Sequence, residues 1–293
     1  MEENRSMRKV IIIDSNALCH RARHAMKNSG LSFDEMRTDI IYSFLNQLLT
    51  IGEELVCSNV VFVWDSKRNY RKRKYEWYKD RPVESDEEEQ EVFDAVFPQF
   101  SKIRRHIIPA LGFKNNFIVS GYEADDLIAS IVFNNPKYEF VIASRDNDLL
   151  QLLSEKCSMY DFQSKRMKTK ESFEKEWVIQ PEQWSEVKAI AGCSSDTVPG
   201  IYRVGEKTAA LYLKGELKKT HKTYRAIVSN KEIIDRNRPI VKLPYEGTPV
   251  IKLKNKWKLD YVNFYAVFEE YGMNSFMTTD SVYRWQRTFD LWG

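Results

Sequence analysis

Three apolar runs in this chain each end at acidic residues, and that pattern constrains the fold more than any other feature. Residues 10–13 are followed at once by Asp14, and residues 60–64 by Asp65. Tyr138–Ala143 is followed by Ser144-Arg145-Asp146-Asn147-Asp148. Runs this short and this rich in Val, Ile and Phe predict strands covered on both faces. Helical patterns lie between them. Met36, Ile40, Phe44 and Leu48, with Ile41, Leu45 and Leu49 beside them, predict a helix with a wide buried stripe. A mixed helical stretch is expected over 86–110, a short strand at 117–119, a helix after Gly121 to about Phe133, and another from Ser144 through Leu153. Strands alternating with helices predict an α/β domain with a mainly parallel central sheet flanked by helices. In such sheets the carboxyl ends of the strands line one crevice, so Asp14, Asp65, Asp146 and Asp148 can converge.

From Pro181 onward the pattern turns helical, with a helix to about Ala191, a turn rich in Gly and Pro, and a second helix ending near Lys214 at Gly215. At 293 residues the chain exceeds the usual single-domain size. Residues 1–180 are therefore expected to form the α/β domain and 181–293 a helical region. No apolar run is long enough to span a membrane, and residues 1–9 carry no apolar core of a secretion signal. Four widely spaced cysteines (Cys19, Cys57, Cys157, Cys193) and only four histidines argue against a disulfide framework and against a Cys- or His-based metal centre. A cytoplasmic location is expected, in the host if the chain is phage-encoded.

Glu123, Asp125 and Asp126 fall in the first turn expected after Gly121, where the helix dipole favours carboxylates taken singly. Together with the strand-end aspartates, however, they would repel strongly in one crevice. Either they scatter to the surface or cations neutralise them. Oxygen ligands without His or Cys select Mg²⁺, with Mn²⁺ as a substitute, and such a cluster suits two-metal phosphodiester cleavage. A metal-binding but inactive protein, or an acidic surface with no joint role, would carry the same residues. Between 66 and 81 lie eight Lys or Arg residues interleaved with Tyr70, Tyr75, Trp77 and Tyr78, followed by an acidic run from Glu84 to Glu91. A charge run can be only a solvated face. Cations mixed with aromatics also suit a nucleic-acid strand, whose phosphates and unpaired bases need both.

The block Gly121-Tyr122-Glu123-Ala124-Asp125-Asp126, followed by Asp146-Asn147-Asp148-Leu149-Leu150-Gln151-Leu152-Leu153, resembles the signature of the 5′-nuclease, or flap endonuclease, family. That family includes the bacteriophage 5′-exonucleases (also RNase H enzymes) and the N-terminal nuclease domain of bacterial DNA polymerase I. Asp14 with Arg21 seven positions on, and Asp65 followed by Tyr70-Arg71 and Tyr78-Lys79, match the family in order along the chain. Residues 192–209 are similar to its helix–hairpin–helix element, here spanning about 185–214, and 236–243 resemble its last helix. Nothing after about 244 is recognisable.

The resemblance implies an active, stand-alone 5′-3′ exonuclease or flap endonuclease for branched or 5′-ended duplex DNA, with DNA–RNA hybrids and RNA primers left open. It implies metal ligands at Asp14, Asp65, Glu123, Asp125, Asp126, Asp146, Asp148 and Asp196. Lys79, Arg21 and Arg81 fall near the scissile phosphate. Arg71, Lys72, Arg73 and Tyr75 begin a helical arch (about 71–105) that grips a single strand. In the hairpin, Gly200 and Gly205 allow backbone approach to the duplex, Ile201 and Val204 carbonyls match a K⁺ site, and Lys207 matches a phosphate contact. A monomer acting with replication proteins and no membrane would suffice. Three departures stand out. Cys193 replaces the first of two aspartates of the bacterial pattern, Thr197 follows Asp196 in place of asparagine, and Arg203-Val204-Gly205 replaces Gly-Ile-Gly. A thiol is a poor Mg²⁺ ligand, so Cys193 is expected to be a small packing residue. That favours a second reading, a structure-specific DNA-binding protein with weakened catalysis. An RNA endonuclease of the related PIN-domain type would lack the hairpin element.

Overall fold

Ile11, Ile12 and Ile13 are fully buried in β1 (Arg8–Asp14), as a strand covered on both faces requires. The structure, a computed structural model, describes residues 8–27, 29–80, 92–254 and 259–289. These group into two compact units, one drawn from Met1–Trp64, Val83–Phe117 and Leu253–Gly293, the other from Asp65–Pro82 and Ile118–Lys252.

In the first unit β1 leads into α1 (Ser15–Ala25), and a small hairpin, β2 (Ser32–Phe33) and β3 (Met36–Arg37), precedes α2 (Asp39–Leu55). β4 (Val60–Val63) pairs parallel with β1, Asp14 lying opposite Val63, and with β5 (Asn116–Phe117). Ile40, Ile41, Phe44, Leu45, Leu48 and Leu49 form the expected buried stripe of α2. Met36 does not belong to it. Asp34 and Glu35 take left-handed φ values of 49° and 62°, which turn the chain so that Met36 pairs in β3 with Phe33. The start of α2 is capped from a distance: Gln99 Oε1 accepts from the N–H groups of Ile40 (3.0 Å) and Ile41 (3.3 Å), and its Nε2 donates to Asp39 Oδ1 (2.8 Å). Two late helices, Tyr261–Glu270 and Thr279–Phe289, bring Phe264, Phe268, Trp285 and Phe289 into this unit's core.

In the second unit β6 (Tyr138–Ala143) pairs parallel with β7 (Cys157–Asp161), and β8 (Arg166–Lys168) closes antiparallel. The helix Ala124–Asn134 precedes β6, and a 3₁₀ helix, Asn147–Leu152, stands where a helix was expected after Ser144. Trp184 anchors the helix Trp184–Ala191, fully buried against Trp177 (4.5 Å between ring centroids) and Phe173 (5.5 Å). The hairpin β9 (Gly192–Cys193) and β10 (Val198–Pro199) leads into Glu206–Lys214, which ends at left-handed Gly215 as the sequence predicts. The helix Lys231–Val241 packs on this pair, with Asn237 Nδ2 donating to Ala189 O (3.0 Å) and Pro199 O (2.9 Å). The α/β class with a mainly parallel sheet and flanking helices is as expected. Arg81 and the acidic run to Glu91 lie outside the described residues, as does that part of the expected arch. Among the described residues no helix is long and apolar enough to cross a membrane.

Candidate active site

Gly121 sets up the first acidic group. Its φ is 96°, and a Cβ there would lie 2.1 Å from the Tyr70 ring, so only glycine lets the two segments meet. Glu123 caps the helix Ala124–Asn134 in a reciprocal box in which the Glu123 N–H donates to Asp126 Oδ2 (3.2 Å). Asp65 Oδ1 accepts from the first helical N–H, that of Ala124 (2.8 Å). Ligand oxygens of Glu123, Asp125 and Asp126 lie within 4.8 Å of one another.

Arg71 is the internal counter-ion of this group. Its Nη1 contacts Asp126 Oδ2 (2.6 Å) and Glu123 Oε2 (3.1 Å), its Nη2 donates to Asp126 Oδ1 (2.7 Å), and its Nε donates to Ile240 O (2.9 Å). It is 2% exposed. The expectation that Arg71 grips a strand is corrected here, because a guanidinium committed to buried carboxylates cannot reach a phosphate. Asp126 also accepts from the Tyr245 N–H (2.7 Å), so both its oxygens are engaged within the protein. Burial, and then the neighbouring Asp126 charge, hold the Asp125 carboxyl well above the usual range.

The second group lies around the hairpin. Asp148, Cys193 and Asp196 offer ligand atoms within 4.8 Å of one another. Asp146, exposed, accepts the Asp148 N–H on its own Oδ1 (2.8 Å) and so fixes the turn; it stands outside both groups. Cys193 Sγ donates to Asp148 Oδ2 at 3.5 Å, and burial pushes its thiol up to about 11. It is a buried hydrogen-bonding residue as well as a small packing one. Lys188, which the sequence reading missed, is 6% exposed and pairs with Asp148 Oδ1 (3.0 Å) and Glu206 Oε1 (2.8 Å). Burial opposes its charge, but Asp148 holds it above the ordinary range. The detectable signal was a lysine one turn after Trp184, on the face that a tryptophan would bury.

Lys79 and Tyr78 connect the two groups. Lys79 Nζ contacts Glu123 Oε1 and lies 3.5 Å from Asp196 Oδ1, while its N–H donates to Asp196 O (2.9 Å). Tyr78 Oη donates to Glu123 Oε2 (2.9 Å) and lies 3.3 Å from Asp196 Oδ2. Burial raises the Asp196 carboxyl, with Lys79 opposing it. Lys72 and Arg73 are exposed, and half-buried Tyr75 lies against Trp77 (5.9 Å between centroids). Asp14 and Arg21 belong to the first unit. Asp14 Oδ1 accepts the Ala17 N–H (3.1 Å) and caps α1, and Arg21 Nη1 donates to Gln47 Oε1. Gly200 sits where a Cβ would lie 2.0 Å from Ala191 O. Ile201 and Val204 bury their side chains beneath the turn, and Gly205 and Lys207 are exposed.

The site thus comprises two groups of carboxylates with the lysines Lys79 and Lys188 held among them. The model of the 5′-3′ exonuclease N-terminal resolvase-like domain matches residues 9–181, more than half of the chain, which therefore belongs to the 5′-3′ exonuclease family. The chain is 32% identical over 209 residues to the thermostable DNA polymerase I of Thermus caldophilus, covering 70% of this chain and 24% of that one. It thus spans about a quarter of the length of that relative. It is 32% identical over 215 residues to the 5′-3′ exonuclease of Bacillus subtilis, covering 69% of this chain and 68% of that one. In fold it is similar to bacteriophage T5 5′-exonuclease with bound zinc ions, with a TM-score of 0.66 and 22% identity over 81% of this chain and 90% of that one.

Proposed function

We propose that this chain hydrolyses phosphodiester bonds at the 5′ ends or flaps of branched DNA, using two divalent ions, Mg²⁺ or Mn²⁺. The observation that carries the reading is the pair of carboxylate groups tied together by Lys79. The donor sets support it. Glu123 and Asp125 offer oxygens alone, and the Asp125 and Asp196 carboxyls, raised by burial first and by neighbouring carboxylates after it, stand where a cation would favour their charged form. Glu123 and Asp125, beside Asp65, would serve one ion, with Asp126 as their support; Asp148 and Asp196, with Asp146 adjoining, would serve the other. When bound, the ions would supply Lewis-acid activation of water and charge stabilisation at the attacking and leaving oxygens.

The protein's own residues do the rest. Arg71 and Asp126 hold Glu123 in place, and Lys188 orients Asp148. Lys79, held between Glu123 and Asp196, faces the scissile phosphate. Lys72, Arg73 and Tyr75 grip the strand as the start of the arch. Residues 1–180 would carry the chemistry with Lys188 and Asp196 from 181–293, and the rest of 181–293 the duplex, with Gly200, Gly205 and Lys207 at its backbone and a K⁺ ion on the Ile201 and Val204 carbonyls. A monomer in the cytoplasm, working beside replication proteins on DNA or RNA primers, fits these parts.

The test is a labelled 5′-flap substrate. Asp148→Asn is expected to lower cleavage in Mg²⁺ at least about 100-fold, a loss that even supporting partners of a metal ligand can cause. Binding in Ca²⁺ should stay near wild type. Unchanged turnover would overturn the role of Asp148. The Cys193 thiol beside Asp148 favours one second reading, a DNA-binding protein with weakened catalysis. No product in Mg²⁺ or Mn²⁺, with flap binding retained, would establish it.

A further inference from the structure

The hairpin before Glu206–Lys214 carries two features that folding alone does not explain. Arg203 has a φ of 61°, a left-handed backbone that strains a residue with a side chain and that glycine adopts freely. The bacterial hairpin pattern has glycine at that position. Beside it Tyr202 is 80% exposed, leaving an aromatic ring in water. The Arg203 guanidinium lies 5.1 Å from the centroid of that ring.

The turn beneath them is firmly held. Ile201 and Val204 are each 4% exposed, the Ile201 N–H donates to Ile190 O (2.9 Å), and Arg236 Nη2 donates to Pro199 O (2.9 Å). The anchored neighbours face inward, while Tyr202 and Arg203 remain exposed. Among the described residues no carboxylate pairs with Arg203. An arginine whose guanidinium is held near an exposed ring has part of its rotamer freedom already restricted, so less is lost when it takes a phosphate.

We propose that Tyr202 and Arg203 form an additional contact to duplex DNA, Arg203 bridging a backbone phosphate through two N–H groups while the Tyr202 ring covers the adjoining sugar. This rests on the reading of the chain as a DNA-directed nuclease. It extends duplex binding from the main chain of the hairpin to side chains particular to this sequence.

The experiment measures binding of a nicked duplex in Ca²⁺ across a salt series, alongside thermal unfolding. Arg203→Gly relieves the backbone, so its melting temperature is expected to hold or rise. Its affinity at low salt should fall about three- to tenfold, and the slope of log affinity on log salt should shrink by about 0.9, the share of one phosphate contact. Arg203→Lys should restore the slope, and Tyr202→Ala should weaken binding with the slope kept. If the wild type binds and Arg203→Gly matches it in affinity and slope, the proposal is overturned and the parent reading stands. A wild type with no affinity for the duplex overturns both.

Discussion

Arg71 sits in the most basic stretch of the chain, yet its charge serves the interior. Its partners Glu123 and Asp126 lie 52 and 55 residues away, so no local pattern could reveal that a cation among exposed Lys72 and Arg73 would be buried. Removing it would leave buried Asp126 without its counter-ion and Glu123 with Lys79 alone. Arg71→Met is expected to lower unfolding free energy by about 3–5 kcal/mol in urea titrations, the usual cost of stranding a buried charge. Stability equal to wild type, with DNA binding weakened, would restore Arg71 to the surface role its neighbours suggest. The same geometry limits what the acidic block discloses. Asp125 and Asp126 stand about 100° apart on the helix, so adjacent letters cannot share one direction. Asp126 turns to Arg71 and the Tyr245 N–H. The motif marks three carboxylates that lie close together, but adjacent letters do not divide ligands from supports.

At the scale of elements, strands and amphipathic helices were the legible part. β6 coincides with the apolar run Tyr138–Ala143, and the stripe of α2 is where the periodicity placed it. β7 and β8 were not read, because Cys157–Asp161 mixes Ser, Met and Tyr without clear alternation and Arg166–Lys168 is an exposed edge. The two late helices were missed for a related reason: their burial depends on the core that receives them. Arg284, on Thr279–Phe289, meets Glu53 of α2 through Nε (2.9 Å) and Nη2 (2.8 Å). Hydrogen bonds from Arg284 hold the Glu53 carboxyl below its ordinary value of 4.5. A carboxyl depressed by folding stabilises at pH above its unfolded value and loses that contribution as the pH falls through the folded one. Glu53→Gln should therefore cost about 0.5–1 kcal/mol near neutral pH, the scale of a partly exposed pair, and progressively less on acidification below about 4.5. A difference from wild type that stays constant down to pH 3 in urea midpoints would contradict this account of the pair.

For the whole molecule, chain order and compactness divide the sequence differently. Composition changes near residue 180, where helices take over. The compact units instead interleave, since 83–117 and 253–293 group with the N-terminal strands and 65–82 groups with 118–252. Sequence reading follows the chain, whereas packing follows buried surface, and the two need not share boundaries. What function requires is narrower. The proposed function has carboxylates from the helix start at Glu123, the turn at Asp148 and the hairpin at Asp196 acting as cation sites, with Lys79 between them. Diffraction from crystals grown in Mn²⁺, with data collected at the manganese edge, tests that directly. The account predicts anomalous peaks at Glu123 and Asp125 and at Asp148 and Asp196, each within oxygen-ligand distance. Saturating Mn²⁺ with no peak at either group would contradict it.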